Sequence, residues 1–592
     1  MPSGPTPSAA PARAVPVPGT SPETPGSPSN APQDLASPSG RADLLALWLP
    51  FAVAVVLTWA SSPDDAFISL RYAHNLLSGH GLVFNPGQRV DGVSSPAGLF
   101  VALLALTIPV GSALFKAKLV TLAFACLAVS RARRLVRCLA LPRRLELAGL
   151  PLVGASPMIA FAAANALATA VGCFATTGLL VELCSGRAFR RPRFAATFAV
   201  LVVLSHPEGP LLVAALAGWA LLVQRTETLW RRVSWVVASA LTEVFLLAAS
   251  QAYFGSPVPN TYFAKQVPLA RALPEGLRYL LSGVDVSALS PFGPLEHLGT
   301  IAVLLLDLLI GVGFVSALAS RGTAGYLAAA VAAQGVFVLA AGGDRMDGAR
   351  FLAPVAVALA GLTLIGSTAI AAVVAARFGT GEQAAAGRVA TGLVTASLAA
   401  TSLLYLLPSV HDPVWRLTGI RDRQLVAAGG YGGLSRVWAT MPSLLACAPR
   451  GSLVATTEAG YGPFVNESLR VLDLRGLTDR DIATNAPGAM KVTSGVADEG
   501  WETPDSLVGR IILSTGPTLV ATLDGQPAAE VLDRHYLLMG SAEVVGSSFR
   551  PAVLSVYRAV GRRLVCTPQE IQALLRQVGS PVPVAAHTAG PG

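Results

Sequence analysis

Charge is in short supply in this sequence. Asp, Glu, Lys and Arg make up 13% of its 592 residues, about half the share usual in soluble domains. That excludes a purely soluble chain, because so few charges cannot cover the surface that such a chain presents. Cysteine is scarce too. Six residues with no CxxC pair exclude a disulfide scaffold and a zinc site built on such pairs. What is abundant is apolar: 53% of the residues are hydrophobic, and the mean hydropathy is +0.57. The net charge of +9 does not point to nucleic acid, because the arginines cluster between apolar runs.

Hydropathy sets out the organisation. Residues 1–42 are rich in Pro, Ser, Ala and Gly and predict a disordered tail. The first apolar run begins near Leu44, so no cleavable signal peptide is expected. Apolar spans are predicted at 43–60, 113–130, 147–164, 166–184, 194–206, 209–224, 233–252, 298–319, 324–341, 351–375 and 389–407. These make a membrane domain over 43–407. A mixed, globular domain is expected over 408–578, and a flexible tail over 579–592.

The stretch 96–111 is apolar but short and bracketed by Pro96 and Pro109, which suits an interfacial or re-entrant segment. With it excluded, the loops 131–146, 185–193, 225–232, 320–323 and 376–388 share one side and hold six, four, three, one and two Arg. The positive-inside rule puts them and the N-terminus in the cytoplasm. About eleven spans then leave 61–112, 253–297, 342–350 and the C-terminal domain outside the cytoplasmic membrane.

The first outer loop begins SSPDDAFISLRYAHNLLSGHG. Pro63 stops the first span, and Asp64 is a natural cap for a new helix. Ala66, Phe67, Leu70, Ala73 and Leu77 share one face of that helix; Asp65, Ser69 and Tyr72 share the other. The pattern predicts an amphipathic helix lying in the membrane interface. The acidic pair serves either as a cap or as a carboxylate presented just above the bilayer.

The stretch DDAFISLRYAHNLLSGHGLVFNPGQRVDGVSSP resembles the first outer loop of integral-membrane glycosyltransferases with the GT-C fold. Within them it is most similar to the terminal-arabinofuranosyltransferase-like (AftB-like) group. PNTYFAK at 259–265, GGDRMDGARFLAPV at 342–355 and EAGYGPFVNESLRVLDLRGLTDRDIA at 458–483 agree, in the family's order. The resemblance implies a sugar carried on polyprenyl phosphate and an acceptor glycan or glycolipid. It also implies an aspartate of the first outer loop as general base, with inversion at the transferred carbon. It favours Asp64 over Asp65 as that base, and leaves room for a divalent cation (Mg, Mn or Ca) on Asp64 or Asp65.

The residues suit that chemistry. A positioned carboxylate activates a hydroxyl, and cationic donors stabilise a leaving phosphate. Lys265, Arg345, Arg350 and Arg71 are the expected phosphate contacts, although Lys265 and Arg350 also suit interfacial snorkelling. Tyr72, His74, Asn260, Tyr262, Asp344, His206 and Glu208 are expected to line the substrate cleft, with Asp344 orienting a cation. Gly342 and Gly343 suit close backbone approach. Glu243 and Asp307 fall inside spans and are read as protonated or paired. His74, His80 and His297 form no metal-ligand spacing. The family pattern carries an acid where Ala168 stands, which puts one substrate contact in doubt.

In the C-terminal domain SLVATTE, LRVLDL, RIILST and AVLSVYRAV read as strands alternating with helices, with no nucleotide fingerprint. Its two cysteines, Cys447 and Cys566, are a candidate pair. The fold expected is mainly α: a polytopic GT-C-like helix bundle with a C-terminal α/β domain. The competing reading is a transporter or non-catalytic scaffold, which more often shows two matched halves; none is seen here.

Overall fold

The computed structural model describes residues 38–281, 294–344, 346, 349–377, 433–485, 507–524, 535–544 and 552–581. The expected span 389–407 and Arg345 lie outside the described residues. The chain divides into two compact units, Met1–Leu44 and Leu45–Gly592. Among the described residues, the first unit contributes only the opening turns of the first helix.

The architecture is mainly helical with one small sheet near the C-terminus. In order come α1 (Pro38–Thr58), α2 (Ala66–Leu77), α3 (Pro96–Thr107), α4 (Ala113–Cys138), α5 (Arg143–Gly154), α6 (Pro157–Ala164), α7 (Thr169–Cys184) and α8 (Arg187–Arg190). They are followed by α9 (Pro192–Ser205), α10 (Gly209–Val223), α11 (Leu229–Phe254), α12 (Asn260–Ala264), α13 (Leu269–Leu281), α14 (Pro294–Ala319), α15 (Gly325–Ala341) and α16 (Ala356–Ala376). Among the described residues, five helices are long and apolar enough to cross a bilayer: Gly40–Thr58, Ala113–Cys138, Arg143–Ala164, Leu229–Phe254 and Ala353–Val374. Pro96–Thr107, Thr169–Cys184, Pro192–Ser205, Gly209–Val223, Leu304–Ala319 and Gly325–Ala341 are apolar but shorter. Along α11 Leu241, Val244 and Phe245 stay exposed at 65%, 64% and 68%. Water would not tolerate such a row on a long helix, whereas lipid would.

One boundary differs from the sequence reading. Helix α4 runs on to Cys138, so Arg131, Arg133, Arg134 and Arg137 sit on its last turns rather than in a loop. Two of them are held by acids on neighbouring helices: Arg131 by Glu182 at 3.6 Å and Arg137 by Glu146 at 3.2 Å. The expected span 147–164 falls within the candidate membrane helix Arg143–Ala164, which is interrupted at Ser156 where α5 gives way to α6. Residues 96–111 do form a short helix, α3, with Ser95 accepting from Gly98 N–H and Pro96 at its first position.

The sheet has strand order β2-β1-β3-β5-β4-β6, with β1 (Leu453–Thr456), β2 (Arg470–Asp473), β3 (Leu519–Asp524), β4 (Tyr536–Val544), β5 (Ala552–Ala559) and β6 (Ser580–Pro581). β2, β1 and β3 are parallel; β3, β5, β4 and β6 are antiparallel. RIILST, read as a strand, belongs to the helix Leu507–Thr515 instead; periodicity cannot separate a short buried helix from a strand. β3 and β4 add to the strands expected, and β6 extends the domain past residue 578. Cys447 and Cys566 form a disulfide that closes a 119-residue separation. It joins the end of the helix Gly433–Leu445 to the residue before the capping box of the helix Pro568–Val578.

The sheet domain does not stand apart. One hydrophobic core runs from Phe67, Leu70, Val101 and Leu114 of α2–α4 into Val437, Leu444, Val454, Leu519 and Leu554 of the sheet domain. A second core, including Phe51, Leu179, Leu216, Trp235 and Tyr326, fills the helix bundle.

Candidate active site

The first outer helix differs from expectation. Asp65, not Asp64, occupies the cap position of α2, and it makes no side-chain cap bond. Protein covers both faces of α2 up to Asn75. Phe67 packs on Tyr461 and Phe464 at 4.7 and 5.4 Å between ring centroids. Tyr72 is fully buried; its hydroxyl donates to Val90 O at 2.6 Å and accepts from Gly92 N–H at 2.9 Å. It is therefore packed in protein rather than open to a substrate.

Arg71 is equally enclosed. Its guanidinium donates to Phe84 O at 2.9 Å, to Leu469 O at 2.9 Å and to Pro463 O. Burial lowers it to about 10, against Glu467 and Tyr72, which raise it. With its donors committed to three carbonyls, Arg71 holds two parts of the chain together and does not face the other expected phosphate contacts. Asn260 does the same from α12, donating to Gly476 O and Asp479 O at 2.5 and 2.9 Å. His74 pairs with Glu467 of the sheet domain at 3.2 Å.

Asp64 is 7% exposed. Its two oxygens accept from the backbone N–H groups of Gly460 and Tyr461 at 2.7 and 2.8 Å. Gly460 follows the C-terminal end of β1, and a Cβ there would collide with the Asp64 backbone and carboxylate. Open parallel sheets usually receive ligands beyond the carboxyl ends of their strands. Here the chain's own segments fill that crevice, Asp64 beyond β1 and Asn260 beyond β2.

Burial, followed by the Glu458 carboxylate, pushes Asp64 up to about 8, against the Tyr461 and Gly460 amides that lower it and with Asp65 adding to the rise. Glu458 itself is held by Trp438 Nε1 at 2.6 Å and Arg475 at 3.0 Å. A carboxyl raised in the folded state stabilises below its unfolded value near 3.8, and that stability is lost as pH rises through about 8. Asp64 should therefore weaken docking of α2 between about pH 4 and 8. Thermal midpoints of the wild type and Asp64→Asn across that range should converge as pH rises. Parallel curves would remove Asp64 as the source.

A different set converges on Asp65. Lys265, at the end of α12, feels the charges of Asp65, Arg350 and Asp344. Arg350 feels Asp344, Asp65 and Tyr279. Three segments far apart in sequence are thus within electrostatic reach of one another. Arg350 Nε bonds Asp344 Oδ2 at 2.7 Å. Burial lowers Arg350, and Asp344, Asp65 and Tyr279 together more than offset it, so it stays firmly cationic. Burial lowers Lys265, Asp65 and Asp344 pull it back up, and Arg350 lowers it further. The half-buried Asp65 carboxylate and the Lys265 ammonium have no hydrogen bond or direct ion pair among the described residues.

Local structure explains the 342–351 loop. Gly342 ends α15 in the left-handed region at φ 71°, and Gly343 follows at φ 75°. A side chain on Gly343 would strike Tyr279, whose Cβ would be 2.8 Å away. Tyr279 reaches over from α13, and its hydroxyl accepts from Phe351 N–H at 3.1 Å. The double glycine therefore allows the close packing that aims Asp344 and Arg350.

His206 and Glu208 lie deeper. Glu208 accepts from Gln334 at 3.0 Å, and His206 is 4.0 Å from the same carboxylate oxygen. Burial lowers His206, with Glu208 raising it and Arg350 lowering it. Its Nε2 is buried without a partner among the described residues. Tyr262 is 57% exposed, and no contact ties it to Asp65 among the described residues. Ala168 caps α7 and is packed beside Gly98 and Ser69.

Gly460, Tyr461, Glu458, Gln334 and Tyr279 carry roles here that the sequence did not suggest. Their partners are distant: Gly460 meets Asp64 across 396 positions, so no local pattern announces the contact. A comparison with models of known families matches none, and a comparison with curated proteins finds no similar chain.

Proposed function

We propose that this protein is an inverting glycosyltransferase. It transfers a sugar, with arabinofuranose the first to test, from polyprenyl phosphate to an envelope glycan or glycolipid on the outer side of the cytoplasmic membrane. The observation that carries this reading is that Asp65, which makes no side-chain cap bond, is within electrostatic reach of two cations, Lys265 and Arg350. An acceptor hydroxyl near Asp65 would attack the anomeric carbon and give its proton to that carboxylate. The bond from that carbon to the phosphate oxygen breaks, and the electron pair leaves on polyprenyl phosphate. Lys265 and Arg350 then stabilise the charge that develops on it.

This assigns the base to Asp65 rather than Asp64. Each oxygen of Asp64 already accepts a backbone amide, whereas the Asp65 carboxylate makes no cap bond. Asp344 orients Arg350. The full chain reconstituted in lipid should bind polyprenyl phosphate. It should also release polyprenyl phosphate from a polyprenyl-phosphate arabinofuranose when a synthetic arabinan acceptor is added. A chain that binds neither the phosphate nor the sugar-linked lipid is not this enzyme.

A further inference from the structure

The sheet domain has no catalytic group among the residues gathered around Asp65, yet it grips the residue next to it. Asp64 is anchored by two backbone amides at 2.7 and 2.8 Å, both from the turn after β1. The same turn leads into Tyr461 and Phe464, which clasp Phe67 one helical step further on. Arg71 and Asn85 add bonds to the carbonyls of Leu469 and Val471 at 2.9 and 2.7 Å. Asp64, Phe67 and Arg71 are thus all held by the sheet domain, whereas the carboxylate of Asp65 is not.

We propose that Asp64 is a positioning residue: clamped by Gly460 and Tyr461, it fixes the start of α2 so that Asp65 projects towards Lys265 and Arg350. The sheet domain is on this view part of the catalytic apparatus, because it sets where the base stands. The inference rests on the glycosyltransferase reading for its catalytic half. Its geometric half, that the clamp sets the distance between residues 65 and 265, does not.

Asp65 caps α2 without a side-chain bond of its own, so only its neighbours restrain it. The position of a cap residue follows the first turn of its helix. Gly460 admits no side chain, because a Cβ there would occupy the space of Asp64. A methyl group at that position must push the two segments apart, and a displacement of about 1 Å at a reacting group can cost ~10²-fold in rate.

The experiment uses the full chain in lipid and two variants, Gly460→Ala and Asp64→Asn. The first wedges the clamp open. The second keeps the size of the side chain but puts an N–H where one amide needs an acceptor. Each should lower kcat ~10²-fold with polyprenyl-phosphate arabinofuranose, while KM for that donor and affinity for polyprenyl phosphate stay at the parent values. Merely unfolded protein would lose donor binding as well. Independently of activity, a short bifunctional reagent should link cysteines placed by Asp65→Cys and Lys265→Cys, and the yield should fall when Gly460→Ala is added. Unchanged cross-linking overturns the proposal, and so does parent-level kcat in both variants. If the parent itself transfers no sugar, the enzyme reading fails and the cross-link decides the clamp alone.

Discussion

Asp65→Asn should cost ~10²–10⁴-fold in turnover, the usual loss on removing a general base, and change stability little. The second expectation distinguishes this position from its neighbour. The Asp65 carboxylate makes no cap bond and is half-buried, so an amide in its place breaks nothing in the fold. Donor affinity should hold or rise slightly, since one negative charge leaves the vicinity of an incoming phosphate. Asp64→Asn behaves differently. It sets an amide N–H against a backbone N–H inside a buried contact, and an unsatisfied buried donor costs about 1–3 kcal/mol. Stability and turnover should therefore fall together at 64, and turnover alone at 65. The check is steady-state transfer with thermal melting on the same preparations. Near-parent turnover in folded Asp65→Asn would leave the loop structural and remove the chief support for the enzyme.

The range of each interaction decides how much of it is legible in the sequence. Apolar runs announce membrane helices, because a bilayer reads hydropathy over one segment at a time. The helix after Pro63 is legible from its apolar spacing. Its surroundings are not: Arg71 is a lone cation in sequence, and its carbonyl partner at Leu469 lies 398 positions away. For the same reason the acidic pair is legible as a pair but not as two different roles. Adjacent aspartates look alike until the fold shows that one meets Gly460 and the other makes no bond of its own. The motifs at 259–265 and 342–355 single out Lys265, Asp344 and Arg350, and the fold brings those three to Asp65. Asn260 and Tyr72, from equally prominent stretches, join segments of the chain instead. A motif marks residues that must stay as they are, whether they touch a substrate or hold the parts that do.

Lys265→Ala and Arg350→Ala should both weaken binding of polyprenyl phosphate, but by different routes. A hydrogen bond to a charged group contributes about 1.5–3 kcal/mol, which is ~10–100-fold in affinity. The Lys265 ammonium has no hydrogen bond or ion pair among the described residues. Removing it should thus show the whole loss in donor affinity and none in melting temperature. Arg350 is locked to Asp344 at 2.7 Å, with the two side chains 14% and 12% exposed. Deleting one partner of such a buried pair costs about 3–5 kcal/mol of stability, so this variant should melt lower as well as bind worse. Arg350→Lys retains the charge but not the planar fork, and it should recover part of the binding without restoring the Asp344 contact. Uncharged polyprenol, which offers the chain without the phosphate, should bind the parent and Lys265→Ala equally. If polyprenyl phosphate does the same, Lys265 is an interfacial lysine and the phosphate site lies elsewhere.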